Sequence, residues 1–76
     1  MKAKKATIIK NGIEFILINP ESDISLDILS KLFGNEVIKI NSGGFGLFEI
    51  EALNGNEKYF QNVESISNLE WGNITL

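Results

Sequence analysis

Carboxylates and lysines are the chemically reactive side chains of this chain, because three other useful residue types are missing. The 76 residues contain no histidine, no cysteine and no arginine, so all seven cationic side chains are lysines. Without His and Cys, the chain lacks the commonest metal ligand, the thiol nucleophile and the usual general base near neutral pH. Without Arg, it lacks the planar fork that grips phosphates and carboxylates. We therefore predict no metal site, no cofactor and no enzymatic activity.

Glu49 and Glu51 are the clearest pair of acids that could act together. They alternate with apolar neighbours in a segment typical of a strand, which places both carboxylates on one face, about 6.6 Å apart. Such pairs hydrolyse glycosides when burial or a neighbouring charge raises the pKa of one acid. This pair is predicted on an exposed face, so a solvated surface or a binding role is favoured over catalysis.

Two further patterns are consistent with binding but also have simpler structural explanations. Gly43, Gly44 and Gly46 could hold a phosphate through backbone amides, yet the Lys-Ser/Thr of a phosphate-binding loop is missing. A glycine-rich turn between two strands explains them more simply. Glu21, Asp23 and Asp27 lack the glycine-centred ligand pattern of a calcium loop and fit the favourable charge at a helix start.

The charge is unevenly distributed along the sequence. Four lysines and no acid lie in the first ten residues, whereas residues 11–76 hold three lysines against ten acids, a balance of −7. This asymmetry either serves solubility or provides an acidic surface for a basic partner. The apolar stretch after the first lysines is interrupted by charges, so neither a signal peptide nor a membrane span is predicted. We expect a cytoplasmic protein, and its abundance of Asn, Ile and Lys suggests a bacterium or a phage.

The first half of the chain predicts a hairpin followed by a helix. Strands at Lys5–Lys10 and Ile13–Asn19 flank Asn11-Gly12, a strong signal for a two-residue turn. That turn sets Ile8 opposite Phe15 and Ala6 opposite Leu17. The second strand is apolar on both faces, so we predict that it lies inside the sheet and is covered on both sides. A helix is predicted over Leu26–Phe33, with Ser25 as its N-cap and Gly34 after its last residue. Its predicted apolar stripe comprises Ile28, Leu29, Leu32 and Phe33.

The second half predicts strands at Glu36–Asn41 and Leu47–Leu53, followed by a turn at Asn54-Gly55. In the first of these strands, Ile38 and Ile40 are predicted to face inward and Lys39 to face outward into solvent. A strand at Glu57–Gln61 would place Lys58 opposite Glu51 and direct Phe60 outward; a three-residue turn would reverse this orientation. The tail, Leu69–Leu76, predicts a short edge strand in which Gly72 switches the exposed face.

These elements predict a single α+β domain over residues 1–76, with the order β-β-α-β-β-β. We expect a small curled antiparallel sheet or SH3-like barrel of five to six strands with one short helix. The stretch from Gly34 through Gly43–Gly46 to Ile50 resembles the KOW-type segment of SH3-like barrels. It lacks the basic residues that those nucleic-acid-binding segments usually carry.

The function favoured by these observations is a non-catalytic protein-interaction module, such as an inhibitor, an immunity-type protein or a small complex subunit. A basic protein partner would match the acidic body, and aromatic side chains supply the anchors of many interfaces. The candidate binding residues are Phe45, Glu49, Glu51, Phe60 and Trp71. The alternatives are a small β-barrel that binds nucleic acid, which the acidic body disfavours, and a small-molecule binder or enzyme. A homodimer through the apolar tail strand also remains open.

Overall fold

The computed structural model describes residues 1–42, 48–60, 66 and 68–76. Its elements in chain order are β1 (Lys2–Lys10), β2 (Ile13–Pro20), α1 (Leu26–Phe33), β3 (Val37–Ser42), β4 (Phe48–Ala52), a 3₁₀ helix (Asn56–Phe60) and β5 (Gly72–Thr75). The strands form one sheet in the order β4-β3-β2-β1-β5. Within the described ranges, no helix is long and apolar enough to cross a lipid bilayer.

The β1–β2 hairpin confirms the register predicted from its turn. Ile8 pairs with Phe15 and Ala6 with Leu17. Asn11 and Gly12 both adopt positive φ, 53° and 75°, as a two-residue turn of this kind requires. The pairing extends beyond the predicted strand ends, as far as Ala3 opposite Pro20.

Helix α1 has the predicted bounds and caps but turns a different face to the sheet. The Ser25 hydroxyl accepts a hydrogen bond from Ile28 N, and Gly34 N donates to the Ser30 carbonyl. Leu29 is buried, whereas Ile28 and Leu32 are exposed. The prediction of one stripe that includes Ile28 and Leu32 is therefore wrong. The helix packs instead through residues at i, i+3 and i+7, namely Leu26, Leu29 and Phe33.

The sheet is mixed rather than wholly antiparallel. Strands β2 and β3 run parallel, with Ile16 opposite Val37 and Ile18 opposite Lys39. A parallel pair needs a crossover connection, and α1 provides it. The other neighbouring strands are antiparallel. The described strands form an open sheet that begins at β4 and ends at β5, so they do not close into a barrel.

Apolar side chains cover both faces of the sheet. On the face that carries α1, here called the helix side, the buried residues are Ala3, Ile18, Leu29 and Val37. On the opposite face, here called the far side, they are Ala6, Phe15, Leu17, Ile38, Ile40, Phe60 and Ile66. Strand β2 contributes to both sets, which confirms its predicted position inside the sheet with cover on both faces.

The predicted strand at Glu57–Gln61 is wrong, because residues 56–60 form a 3₁₀ helix. The preceding turn is present: Asn54 and Gly55 have φ of 57° and 72°, and Asn56 N donates to the Leu53 carbonyl. A strand would send the adjacent Tyr59 and Phe60 to opposite faces. The 3₁₀ helix instead brings both rings to the ring of Phe15.

The tail forms the last strand, as predicted, but over a shorter range. Strand β5 pairs with β1 at the sheet edge, from Lys2 opposite Thr75 to Lys5 opposite Gly72. Leu69 and Trp71 pack on the far side, whereas Ile74 and Leu76 pack on the helix side. Regular alternation along a strand accounts for these two faces, and the pairing with β1 runs through Gly72 without a bulge. The predicted switch of face at Gly72 is therefore wrong. The α+β class, five strands with one short helix and the order β-β-α-β-β-β are confirmed, with the tail as the last strand in place of Glu57–Gln61.

Candidate functional site

Glu49 and Glu51 both lie on the helix side of β4, as their alternation with apolar residues predicted. Phe48, Ile50 and Ala52 pack on the far side, and the two glutamates are exposed. They stand opposite Asn41 and Lys39 of β3 respectively. Exposure to water leaves both carboxylates accessible to a partner.

Lys39 brings two of the nearby carboxylates together. Its ammonium lies 3.0 Å from Oδ1 of Asp23 and 3.6 Å from Oε2 of Glu51. Lys39 is only 4% exposed, so the prediction that it points out into solvent is wrong. Asp23 lies in the segment between β2 and α1, 16 residues before Lys39 in the sequence. The side chain of Asp23 is 95% exposed and that of Glu51 52% exposed, so both carboxylates remain open to solvent.

The set of Asp23, Glu49 and Glu51 is here called the acidic edge. It carries three carboxylates and, in Lys39, one ammonium that lies beneath them. Among the described strands, β4 pairs with β3 alone, so its outer backbone groups have no strand partner in the described part of the chain. An unpaired strand edge is a template for an added strand from another protein. The acidic edge thus places exposed carboxylates beside an unpaired strand edge.

The five residues predicted to bind a partner do not form one patch. Phe60 is 1% exposed and packs in the core, so the prediction that it points outward with Glu49 and Glu51 is wrong. Trp71 is half-buried on the far side, where its indole N–H donates to the Ile66 carbonyl at 3.3 Å. Only Glu49 and Glu51 lie on the helix side of β4. Phe45 and the turn at Gly43–Gly46 lie outside the described residues.

The two faces of the sheet differ in charge. On the helix side, the charged strand residues are Lys5, Glu14, Lys39, Glu49 and Glu51. On the far side, every charged residue within the five strands is a lysine, namely Lys2, Lys4 and Lys10. The acidic balance of the sequence is thus not spread evenly over the sheet.

The chain matches no protein-family model, no curated protein and no solved structure, so its site must be explained from its own residues. Sequence reasoning missed the pairing of Asp23 with Lys39, because a helix-start acid and a strand lysine gave no hint of their proximity. The one available signal was the alternation along β3. It places Lys39 on the face of the sheet that carries α1, opposite to the face of Ile38 and Ile40. Only the crossover geometry places Asp23 above it.

Proposed function

We propose that this protein is a non-catalytic protein-interaction module, of the inhibitor, immunity-protein or complex-subunit kind, that binds a basic protein through its acidic edge. The observation that carries the proposal is the position of the exposed carboxylates Glu49 and Glu51 along an edge strand. The backbone of β4 would hold an extended segment of the partner by strand addition. The carboxylates would select lysine or arginine side chains on that segment.

Exposed apolar residues of α1 support the proposal, since charge alone gives little affinity at an exposed surface. Ile28 and Leu32 are 47% and 57% exposed and lie on the helix side, as the acidic edge does. Asp23, two residues before the N-cap, links the start of this helix to β3 through Lys39. We assign to Ile28 and Leu32 the role of apolar anchors that sequence analysis gave to Phe60 and Trp71.

The acidic edge is tested by capture and kinetics. The domain is immobilised and used to recover proteins from the cells that produce it, and each recovered protein is purified and measured by surface plasmon resonance. Glu49→Lys is the sharpest variant, because Glu49 has no ion pair within the described part of the chain. It reverses one charge of the edge and leaves the Lys39 contacts in place.

The matched control is Glu57→Lys, which changes the net charge equally at an exposed position in the 3₁₀ helix. We expect Glu49→Lys to slow association and flatten its dependence on salt, with Glu57→Lys close to the parent protein. Equal on-rates for the parent and Glu49→Lys at low salt would refute the acidic edge as the binding surface. Recovery of no directly binding protein would refute the interaction function itself.

A further inference from the structure

A cleft lies at the open end of the far side, where β2, β1 and β5 run side by side. One hollow, here called the polar half, has a volume of about 320 Å³ and is lined by Lys2, Lys4, Asn19, Glu21 and Asn73 together with Ala3 and Pro20. A smaller hollow of about 180 Å³ is lined by Lys4, Asn19, Phe48, Ile66 and Trp71. Lys4 and Asn19 line both, so the two hollows adjoin at these residues. Together they are here called the cleft, with a polar half and an aromatic half.

Strand register explains why the polar half is continuous. Lys4 stands opposite Asn19 of β2 on one side and opposite Asn73 of β5 on the other. Directly opposed residues of antiparallel strands have Cβ atoms about 4.5–5.5 Å apart. Asn19, Lys4 and Asn73 therefore form a row across three strands, and Lys2 lies two residues further along β1 on the same face.

The aromatic half adjoins this row. Trp71 directly precedes β5, and its ring is held in place by the hydrogen bond from its N–H to the Ile66 carbonyl. Phe48, the first residue of β4, also lines this hollow and is half-buried as well. The cleft thus combines ammonium groups, carboxamides and half-exposed rings within a space the size of a small ligand.

We propose that this cleft binds a nucleotide unit, either as a free mononucleotide or as part of a single strand. Lys2 and Lys4 would hold the phosphate, since ammonium groups bind phosphate as point charges. The base would stack at Trp71, as bases do on aromatic side chains of single-strand-binding proteins. Asn19 and Asn73 carry both a donor and an acceptor, as the edges of a base require. The site is independent of the acidic edge, because it lies on the opposite side of the sheet.

Tryptophan fluorescence gives a direct readout, because Trp71 is the single tryptophan of the chain. The full-length protein is titrated with adenosine monophosphate, with a ten-nucleotide thymidine strand and with a ten-residue polyglutamate peptide. Quenching by the mononucleotide indicates a site for a free nucleotide. Quenching by the strand alone indicates a single-strand site. No quenching by either at millimolar concentration would overturn the proposal, and so would equal quenching by polyglutamate, which shares only the charge.

Three variants localise the site. Lys4→Gln should weaken binding of the quenching ligand by about fivefold or more and reduce the salt slope by about 0.7, as expected for one lost phosphate contact on a single strand. Lys5→Gln is the matched control, because its side chain lies one residue away on the helix side. Glu21→Gln removes the one acid among the described residues that line the polar half, and it should strengthen binding. Equal weakening by Lys4→Gln and Lys5→Gln, or weaker binding by Glu21→Gln, would overturn the assignment.

Discussion

The ring of Phe60 meets the ring of Phe15 edge-on, with 5.2 Å between their centroids and 86° between their planes. Lys10 also covers the ring of Phe60, with its ammonium 4.9 Å from the ring centroid, and it donates a hydrogen bond to the Tyr59 carbonyl. These contacts join the 3₁₀ helix to the β1–β2 hairpin across 49 residues of sequence. They make Phe60 part of the core.

Truncation of Phe60 should therefore destabilise the fold strongly. Phe60→Ala should cost about 3–5 kcal/mol of unfolding free energy, because it removes a buried ring and leaves a cavity. A core of this size supplies only roughly 3–5 kcal/mol in all, so this variant is expected to be largely unfolded. Phe60→Leu should cost less, about 1.5 kcal/mol, and gives a measurable urea transition. Ile9→Ala, at a 70% exposed site, is the control and should change stability by less than about 0.5 kcal/mol. A Phe60→Leu variant as stable as the parent would contradict the buried ring.

The glycines of the chain should differ in their tolerance of a side chain. Gly12 has a φ of 75°, so Gly12→Val should destabilise by about 1–2 kcal/mol, because a β-branched residue resists positive φ. Gly72 does not have positive φ, and an added Cβ there meets nothing within 4 Å. Gly72→Ala should accordingly be tolerated. Thermal melting of both variants checks this, and similar losses at the two positions would argue against the described turn.

The stability of the fold should change in opposite directions when Lys39 is replaced and when its two carboxylate partners are replaced. The double variant Asp23→Asn with Glu51→Gln leaves a buried ammonium without a carboxylate and should cost about 1–3 kcal/mol. Asp23→Asn alone should cost less than about 1 kcal/mol, because that carboxylate is exposed and screened. Lys39→Met removes the charge with its partners still solvated and should be neutral or stabilising. Urea denaturation measures all three, and a strongly destabilised Lys39→Met would contradict this account.

Local signals allowed the hairpin and the helix to be predicted closely. Asn11-Gly12 determines the register of β1 and β2 by itself, and Ser25 and Gly34 mark the ends of α1. The face that α1 buries could not be predicted, because Ile28 and Leu32 continue the apolar pattern and only packing decides between two overlapping stripes. The parallel pairing of β2 and β3 is likewise a tertiary choice that the strand sequences leave open.

The candidate site was predicted only in part, for a similar reason. Alternation placed Glu49 and Glu51 correctly on one face of β4. The same alternation failed at Tyr59 and Phe60, where adjacent aromatics gain more by packing together on Phe15 than by continuing a strand. The proximity of Lys4, Asn19 and Asn73 depends on the order of three strands, and the charge balance of the whole sequence conceals it.

Leu32 should matter for binding and little for folding. It is exposed on α1, so Leu32→Ser should change the free energy of unfolding by less than about 0.5 kcal/mol. Because Leu32 is assigned as an apolar anchor, Leu32→Ser should weaken binding of the recovered protein partner by about 1–2 kcal/mol, measured by calorimetry. Leu26→Ser is the contrasting variant, since Leu26 packs against the helix-side core and its loss should destabilise the fold. An unchanged affinity for Leu32→Ser would remove α1 from the interface.

The most direct test of the acidic edge is an amide-shift map of the isotope-labelled domain titrated with the protein recovered by capture. The account predicts that the largest shifts fall on Phe48–Ala52 of β4 and on neighbouring β3, and that Glu49→Lys diminishes them at equal partner concentration. Strand addition should also protect β4 amides from hydrogen exchange, because they gain backbone partners. The account would be contradicted if the largest shifts fell on β5 or on far-side residues and Glu49→Lys bound the partner as tightly as the parent protein does.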